Sequence, residues 1–264
     1  MKPLITMVVP YYRQPQMLAK QLENWYDYTL ETQDAFKLIF VDDGSPEPAE
    51  EVVRPFVNNM AYHGNDPEVY RIDEDVPWNR SMARNLGTLE ATTPWVLHVD
   101  TDHVLPPESA KSLVQYLTPP SDIFGRCAWY RFDRFRVGAA DETRQKDKID
   151  PNATFAKIHP HIDSYVCRTE AYWKAGGYNE DFSGVLGGGS PFLKEMVRAN
   201  GEPVVLPIPL HVYTRSVVKD SSEHTLSRDP KLFMQRKREI IAKHGTLKGR
   251  GVKAALRLPW HKVF

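Results

Sequence analysis

Two aspartates one residue apart close an apolar run in the stretch WVLHVDTDHVLPPE, Trp95 to Glu108. Side by side, Asp100 and Asp102 repel one another, and each is costly to desolvate unless something positive sits between them. In an extended chain, residues two apart face the same way. Both carboxylates can then address one divalent cation at a strand end. A turn or cap ahead of Pro106 is the plainer alternative, but it needs only one carboxylate. A second acidic pair, Asp42 and Asp43, stands in VDDGS. Taken alone, that segment reads as an ordinary strand-to-helix turn, although one of its aspartates could accept hydrogen bonds from a nucleobase imide or a ribose hydroxyl. A third cluster, WNRSMARNLG, puts Arg80 and Arg84 four residues apart and so on one helix face. A guanidinium there can meet a diphosphate through two parallel hydrogen bonds; a solvated helix face is the competing reading.

These clusters need elements to position them. LITMVV, FKLIFV and WVLHV are short, β-branched and apolar almost throughout, which suits strands covered on both faces. Helix-like stretches lie at Gln14 to Leu30, Glu47 to Asn59 and Ser81 to Ala91. The alternation predicts an α/β fold with a mostly parallel, Rossmann-like central sheet and helices on both faces. Ligands of such sheets bind at the carboxyl ends of the strands, where PYYR, DDGS and DTDH fall. The second half is less regular. FGRCAWYRFDRFRV alternates like a strand, DETRQKDKIDPN reads as a charged loop, and RTEAYWKAGGY as a short helix ending at glycine. GVLGGGSP reads as a mobile loop over a site.

The 264 residues are 41% hydrophobic and 26% charged, the composition of a soluble globular chain. No apolar run approaches the roughly 20 residues of a membrane span. MKPLITMVVPYYR reads as a first strand and not as a signal peptide, so a cytoplasmic location is expected. Cys127 and Cys167 have no CxxC spacing and read as ordinary buried thiols. The net charge of zero hides an asymmetry: from Arg228 onward, eleven basic residues face two acidic ones. Mixed with Leu, Ile, Phe and Trp260, these charges have the composition of a helix lying in a membrane interface, and peripheral membrane contact through the tail is one expectation. Packing of Leu232, Phe233, Ile240 and Ile241 on the acidic body is the other. No nucleic-acid partner is expected.

In this order, VVPYYRQPQMLAKQL, FVDDGS, ARNLG…TTPWVLHVDTDHVLP and WKAGGYNEDFSG resemble a family 2 type glycosyltransferase of the GT-A fold, over roughly Leu4 to Leu193. The resemblance implies a nucleotide-sugar donor (a UDP-sugar ahead of a GDP-sugar), Mn2+ or Mg2+ at the DxD motif, and transfer of the sugar to a hydroxyl acceptor such as a glycan. Motif by motif, Pro10, Tyr11 and Arg13 would line the nucleoside pocket and Asp42, with Asp43 beside it, would contact the base. Arg84 would approach the base or phosphates, Asp100 the ribose or the ion, and Asp102 the ion. A third protein ligand is expected from His211 in PIPLHVYTRS, ahead of His103 and His224. The implied organisation is a GT-A domain over 1–227, with a nucleotide-sugar half to about 105 and an acceptor half from about 106, then a basic helical tail over 228–264.

One departure from the family pattern bears on mechanism. An inverting enzyme needs a base to deprotonate the acceptor hydroxyl, and the acids expected after GGYxE are replaced by Gly189, Ser190 and Pro191. Asp181 is the expected base, with Glu180 and then Glu195 as the nearest other carboxylates. Inversion is favoured over retention. A nucleotidyltransferase is disfavoured by the missing glycine-rich loop after the first strand. A non-catalytic nucleotide-sugar or glycan-binding protein on the same fold is the alternative; the missing acids favour it and the intact DTD opposes it.

Overall fold

The computed structural model describes residues 2–59, 66–118, 127–140, 152–219, 229–252 and 256–264. His224, Arg228 and nearly all of DETRQKDKIDPN lie outside them. The elements are β1 (Ile5–Tyr11), α1 (Pro15–Tyr26), α2 (Leu30–Asp34), β2 (Phe36–Asp42), α3 (Ala49–Asn59), β3 (Glu68–Ile72), α4 (Arg80–Leu89) and β4 (Trp95–His98), then β5 (His103–Val104) and α5 (Pro107–Leu117). The second half contributes β6 (Trp129–Val137), β7 (Phe155–Ile158), β8 (Tyr165–Arg168), α6 (Thr169–Lys174), α7 (Gly189–Asn200), β9 (Val204–Tyr213), α8 (Pro230–His244) and β10 (Trp260–Lys262).

One sheet runs in the order β10-β3-β2-β1-β4-β8-β6-β9-β5, with β7 beside β6. β3, β2, β1 and β4 are parallel; β8 and β10 pair antiparallel at either side of that block, so the sheet is mixed. The parallel strands are apolar on both faces because both faces are covered. Ile5, Met7, Val9, Leu38 and Phe40 join Leu18, Leu22 and Trp25 of α1 in one core cluster. Val8, Ile39 and Val41 join Met82, Ala83 and Leu86 of α4 in the other. Gly87 sets how close α4 approaches β1, since a Cβ there would lie 2.3 Å from Val8 Cγ1. The strand order reverses between β1 and β4, and open α/β sheets leave a crevice at such a switch point.

The expected tail does more than form a helix. After α8 the chain returns to the sheet edge, where β10 pairs with β3 (Trp260 opposite Ile72). Among the described residues, no helix is long and apolar enough to cross a membrane.

Candidate active site

The DTDH turn is clamped from α1 and β1. Gln21 Nε2 donates to the carbonyls of Thr101 (3.0 Å) and His103 (2.7 Å), and Thr101 Oγ1 donates to Pro10 O at 2.7 Å. Asn24 and Tyr28 hold Leu105 O in the same way. The extended geometry expected for residues 100–102 is not found. β4 ends at His98, and His103 N donates to Asp100 O at 2.9 Å, so the chain turns there.

The turn changes which side chains meet. Asp100, His103 and His161 bring potential ligand atoms within 4.8 Å of one another. His161 Nδ1 is 3.6 Å from Asp100 Oδ2, and Asp102 Oδ1 is 3.7 Å from His103 Nε2. His211 is not in this group: it stands on β9 opposite Val104, half-buried, with Phe155 edge-on to its ring at 5.7 Å. One carboxylate, two imidazoles and a neighbouring second carboxylate fit a divalent ion, and the nitrogen share suits Mn2+ better than Mg2+. Burial lowers the pKa of His161, which favours its neutral, ligating form. Three groups compete for the imidazole nitrogens: Arg134 Nη2, 3.1 Å from His103 Nε2, Ser164 Oγ on His103 Nδ1, and Asp163 N, which donates to His161 Nδ1 at 3.3 Å.

Arg84 is buried behind the turn. Its Nη2 donates to Asp100 Oδ1 at 2.5 Å and its Nη1 to Asp163 O at 2.9 Å. Burial alone would raise the Asp100 carboxyl, but Arg84, Arg80 and the two histidines outweigh it and hold the carboxyl well below the usual range. Asp100 is therefore a fixed anion. Arg80 Nη1 lies 3.5 Å from the same carboxylate, is more exposed than Arg84, and faces a cleft. Trp78, Ser81, Arg84, Asp163, Tyr178 and residues 185–189 line that cleft with it.

The VDDGS pair divides its work. Asp42 accepts from Ser45 N (2.7 Å), Ala49 N (2.9 Å) and Arg71 Nη1 (2.6 Å), so both of its oxygens serve to cap α3 and tie β3. Asp43 is as deeply buried, but its Oδ1 has no hydrogen-bond partner. Burial pushes its carboxyl up to about 8, with the Asn79 amide pulling the other way. Tyr11 is likewise internal, fully buried with its hydroxyl on Glu47 O at 2.8 Å, whereas Tyr12 reaches Asp75 Oδ1 at 3.0 Å. Pro10 is buried at the end of the same strand. Arg13 holds φ at +53°, a region that side chains seldom adopt, with its N–H on Ser45 Oγ at 3.1 Å.

The acids expected to act as base are committed elsewhere. Glu180 Oε1 accepts from Asn85 Nδ2 (2.7 Å) and Leu256 N (2.9 Å), and Oε2 from Leu256 N (3.1 Å) and Arg257 N (3.2 Å). Asp181 pairs with Arg257, with Arg250 at 3.1 Å and with His244 at 3.0 Å. Together they clasp the returning C-terminal segment to the body. A carboxylate so surrounded by donors is poorly placed to take a proton from an acceptor. The glycine loop is packed too. A Cβ at Gly187 would lie 2.4 Å from the Phe233 ring, and one at Gly188 2.7 Å from Ser81 Oγ.

Sequence reasoning missed His161, Asp163 and Trp78. The first two carried one visible signal, the polar run HPHID directly before an apolar strand.

Validoxylamine A glucosyltransferase of Streptomyces hygroscopicus subsp. jinggangensis (strain 5008) is 24% identical in an alignment 233 residues long that covers 77% of this chain and 53% of that protein. The chain thus spans about half the length of the curated relatives it matches. Among solved structures, S. aureus TarS 1-349 in complex with UDP-GlcNAc superposes with a TM-score of 0.63 at 15% identity, over 91% of this chain and 66% of that one. The mannosyltransferase PcManGT from Pyrobaculum calidifontis, in complex with GDP-Man and Mn2+, gives 0.55 at 14% identity, over 92% and 63%. These likenesses show a GT-A fold. The model for glycosyl transferase family 2 matches residues 6–175, more than half of the sequence, and the chain belongs to that family.

Proposed function

We propose that this protein is a glycosyltransferase that moves a sugar from a nucleoside-diphosphate donor, a UDP-sugar ahead of a GDP-sugar, to a hydroxyl of a glycan-type acceptor, with inversion and with a divalent ion, Mn2+ ahead of Mg2+. The observation that carries the reading is the convergence of Asp100, His103 and His161 at the end of β4, beside a cleft lined by Arg80 and Arg84. UDP-GlcNAc in TarS and GDP-Man with Mn2+ in PcManGT support the donor class and the ion.

Each side chain then has work to do. Asp43 Oδ1 is unpartnered but sealed, so it would accept from a donor group on the nucleobase or ribose only once the ligand displaces what covers it. Arg80, more than a third exposed, is the cation at the mouth and binds the diphosphate. Arg84 binds Asp100 and holds it in place. Asp100, Asp102, His103 and His161 would hold a divalent ion, whose charge would stabilise a departing diphosphate. Binding energy of this kind raises the rate only where it is stronger in the transition state, and the charge that develops on the leaving group meets that condition.

A non-catalytic nucleotide-sugar-binding protein is the second reading, favoured by the commitment of Glu180 and Asp181 to the C-terminal clasp. Release of nucleoside diphosphate from UDP-glucose, UDP-GlcNAc or GDP-mannose in the presence of Mn2+ separates the two. Turnover supports the transferase; tight binding with no turnover supports the binder.

The tail supports a further part of this reading, a cytoplasmic enzyme that touches an anionic membrane surface. Phe233 and Ile240 of α8 pack inward with Phe182 and Val185. Leu232, Met234 and Ile241 stay exposed among lysines and arginines, each basic residue contributing on the order of 1 kcal/mol near such a surface. Co-sedimentation with phosphatidylserine vesicles that is equal after the combined substitutions Leu232→Asp, Met234→Asp and Ile241→Asp, or absent at low salt, removes this part of the proposal.

A further inference from the structure

We propose that Asp163 supplies the acceptor-side carboxylate, in place of the acid that the start of α7 lacks. The assignment rests on the transferase reading above. α7 begins at Gly189, with Gly188 at its N-cap. A Cβ built on Gly189 would fall 2.5 Å from Asp163 Oδ1 and 3.1 Å from its Cγ. The Asp163 carboxyl thus occupies the space that a side chain from the helix start would fill. The start of α7 and the segment before β8 meet at one point, and the carboxylate there comes from the latter.

Its setting is that of a held, addressable group. Asp163 is 5% exposed and lines the cleft with Arg80, Ser81 and Tyr178. Tyr178 Oη donates to Oδ1 at 3.0 Å, which fixes the carboxyl plane. Among the described residues, Oδ2 has no hydrogen-bond partner, and it is not one of the sealed atoms. Arg84 spans the two halves of the site, with Nη1 on Asp163 O and Nη2 on Asp100 Oδ1. One guanidinium therefore sets the spacing between the donor-side carboxylate and Asp163. The other nearby acids are engaged: Glu180 and Asp181 hold the C-terminal segment, and Glu195 pairs with Arg198 at 3.1 Å.

In the step, the acceptor O–H proton passes to Asp163 Oδ2 as the acceptor oxygen bonds to the anomeric carbon. The bond from that carbon to the diphosphate oxygen breaks, and its electron pair leaves on the diphosphate.

The test moves the carboxylate back. Nucleoside diphosphate release is measured with Mn2+ and whichever of UDP-glucose, UDP-GlcNAc or GDP-mannose the wild type consumes, alongside thermal unfolding and UDP and GDP affinity. Asp163→Asn is expected to keep its Tm and its nucleotide affinity within about threefold while kcat falls roughly 100-fold or more. In the Asp163→Ala background, Gly189→Asp is expected to recover kcat at least about tenfold over Asp163→Ala alone, with Ile162 Cδ1, 3.0 Å from the new Cβ, giving way slightly. The assignment fails if Asp163→Asn keeps kcat within threefold, if its nucleotide affinity or Tm falls with kcat, or if the relocated carboxylate recovers nothing. A wild type that consumes no donor fails the transferase reading itself, and this assignment with it.

Discussion

Glu180→Gln separates a structural carboxylate from a catalytic one. Glu180 is 7% exposed, and its two oxygens accept from three donors: Asn85 Nδ2, Leu256 N and Arg257 N. The amide keeps the shape and replaces one oxygen by an NH2. Neither orientation escapes conflict. With NH2 at Oε1 it opposes Asn85 and Leu256, and with NH2 at Oε2 it opposes Arg257 and Leu256. Leu256 also sits at φ +69°, and its N–H is held by both oxygens. Losing one charge-assisted bond and leaving one buried N–H opposed costs about 2–3 kcal/mol. For a chain of this size that is a fall in Tm of roughly 5–10 °C. The clasp should loosen first at the C-terminal segment, read by thermal unfolding and by limited proteolysis after Gly245. At a temperature where the variant is folded, kcat should stay within about twofold, since no proton transfer is assigned to Glu180. A kcat loss of tenfold or more at unchanged Tm would refute the structural reading of Glu180.

Three further outcomes are expected. Burial pushes the Asp43 carboxyl from its ordinary 3.8 up to about 8, so the folded state binds the extra proton between those values. Stability should therefore fall as pH rises from about 4 to about 8, by at most about 5–6 kcal/mol, and Asp43→Asn should remove that slope in denaturant titrations run at several pH values. Gly87→Ala puts a methyl 2.3 Å from Val8 Cγ1; overpacking of about 1–3 kcal/mol, partly offset by about 1 kcal/mol of helix propensity, should lower the stability, and Val8→Ala in the same chain should restore part of it, as a double-mutant cycle will show. Asp102→Ala should leave the Tm within about 2 °C, because its carboxylate is partly exposed, yet weaken Mn2+-dependent nucleotide binding by about tenfold or more.

The sheet was legible because its physics is local. Strands buried on both faces are apolar at nearly every position, as at Val8 and Val9 and with Thr6 and His98 as exceptions, and the gaps between them carry helical periodicity. The carboxyl edge as the place of the candidate site was legible too, since polar clusters at strand ends mark it. The identity of the site's members did not follow. His161 and Asp163 precede β8, and only the antiparallel pairing of β8 with β4, His98 opposite Tyr165, brings them to Asp100. Nothing local in the sequence encodes that pairing. Glu180 and Asp181 resembled a base because their partners lie more than sixty residues downstream, at His244, Arg250, Leu256 and Arg257. His211 lies apart from the Asp100, His103 and His161 group for a register reason: β9 sets it opposite Val104 and beside Phe155. The hydrogen bonds, and not the sequence, distinguish the aspartates of VDDGS: they occupy both oxygens of Asp42 and leave the sealed Asp43 Oδ1 without a partner.

Isothermal titration of UDP and of GDP into the wild-type chain, once with Mn2+ and once with EDTA, bears most directly on a metal-assisted nucleotide-sugar site at the end of β4. One nucleotide is expected to bind at a 1:1 ratio and at least about tenfold tighter with Mn2+, a difference of about 1.4 kcal/mol, and His161→Ala should abolish that advantage while keeping the Tm. Equal affinity with Mn2+ and EDTA, or no binding of either nucleotide, would contradict it.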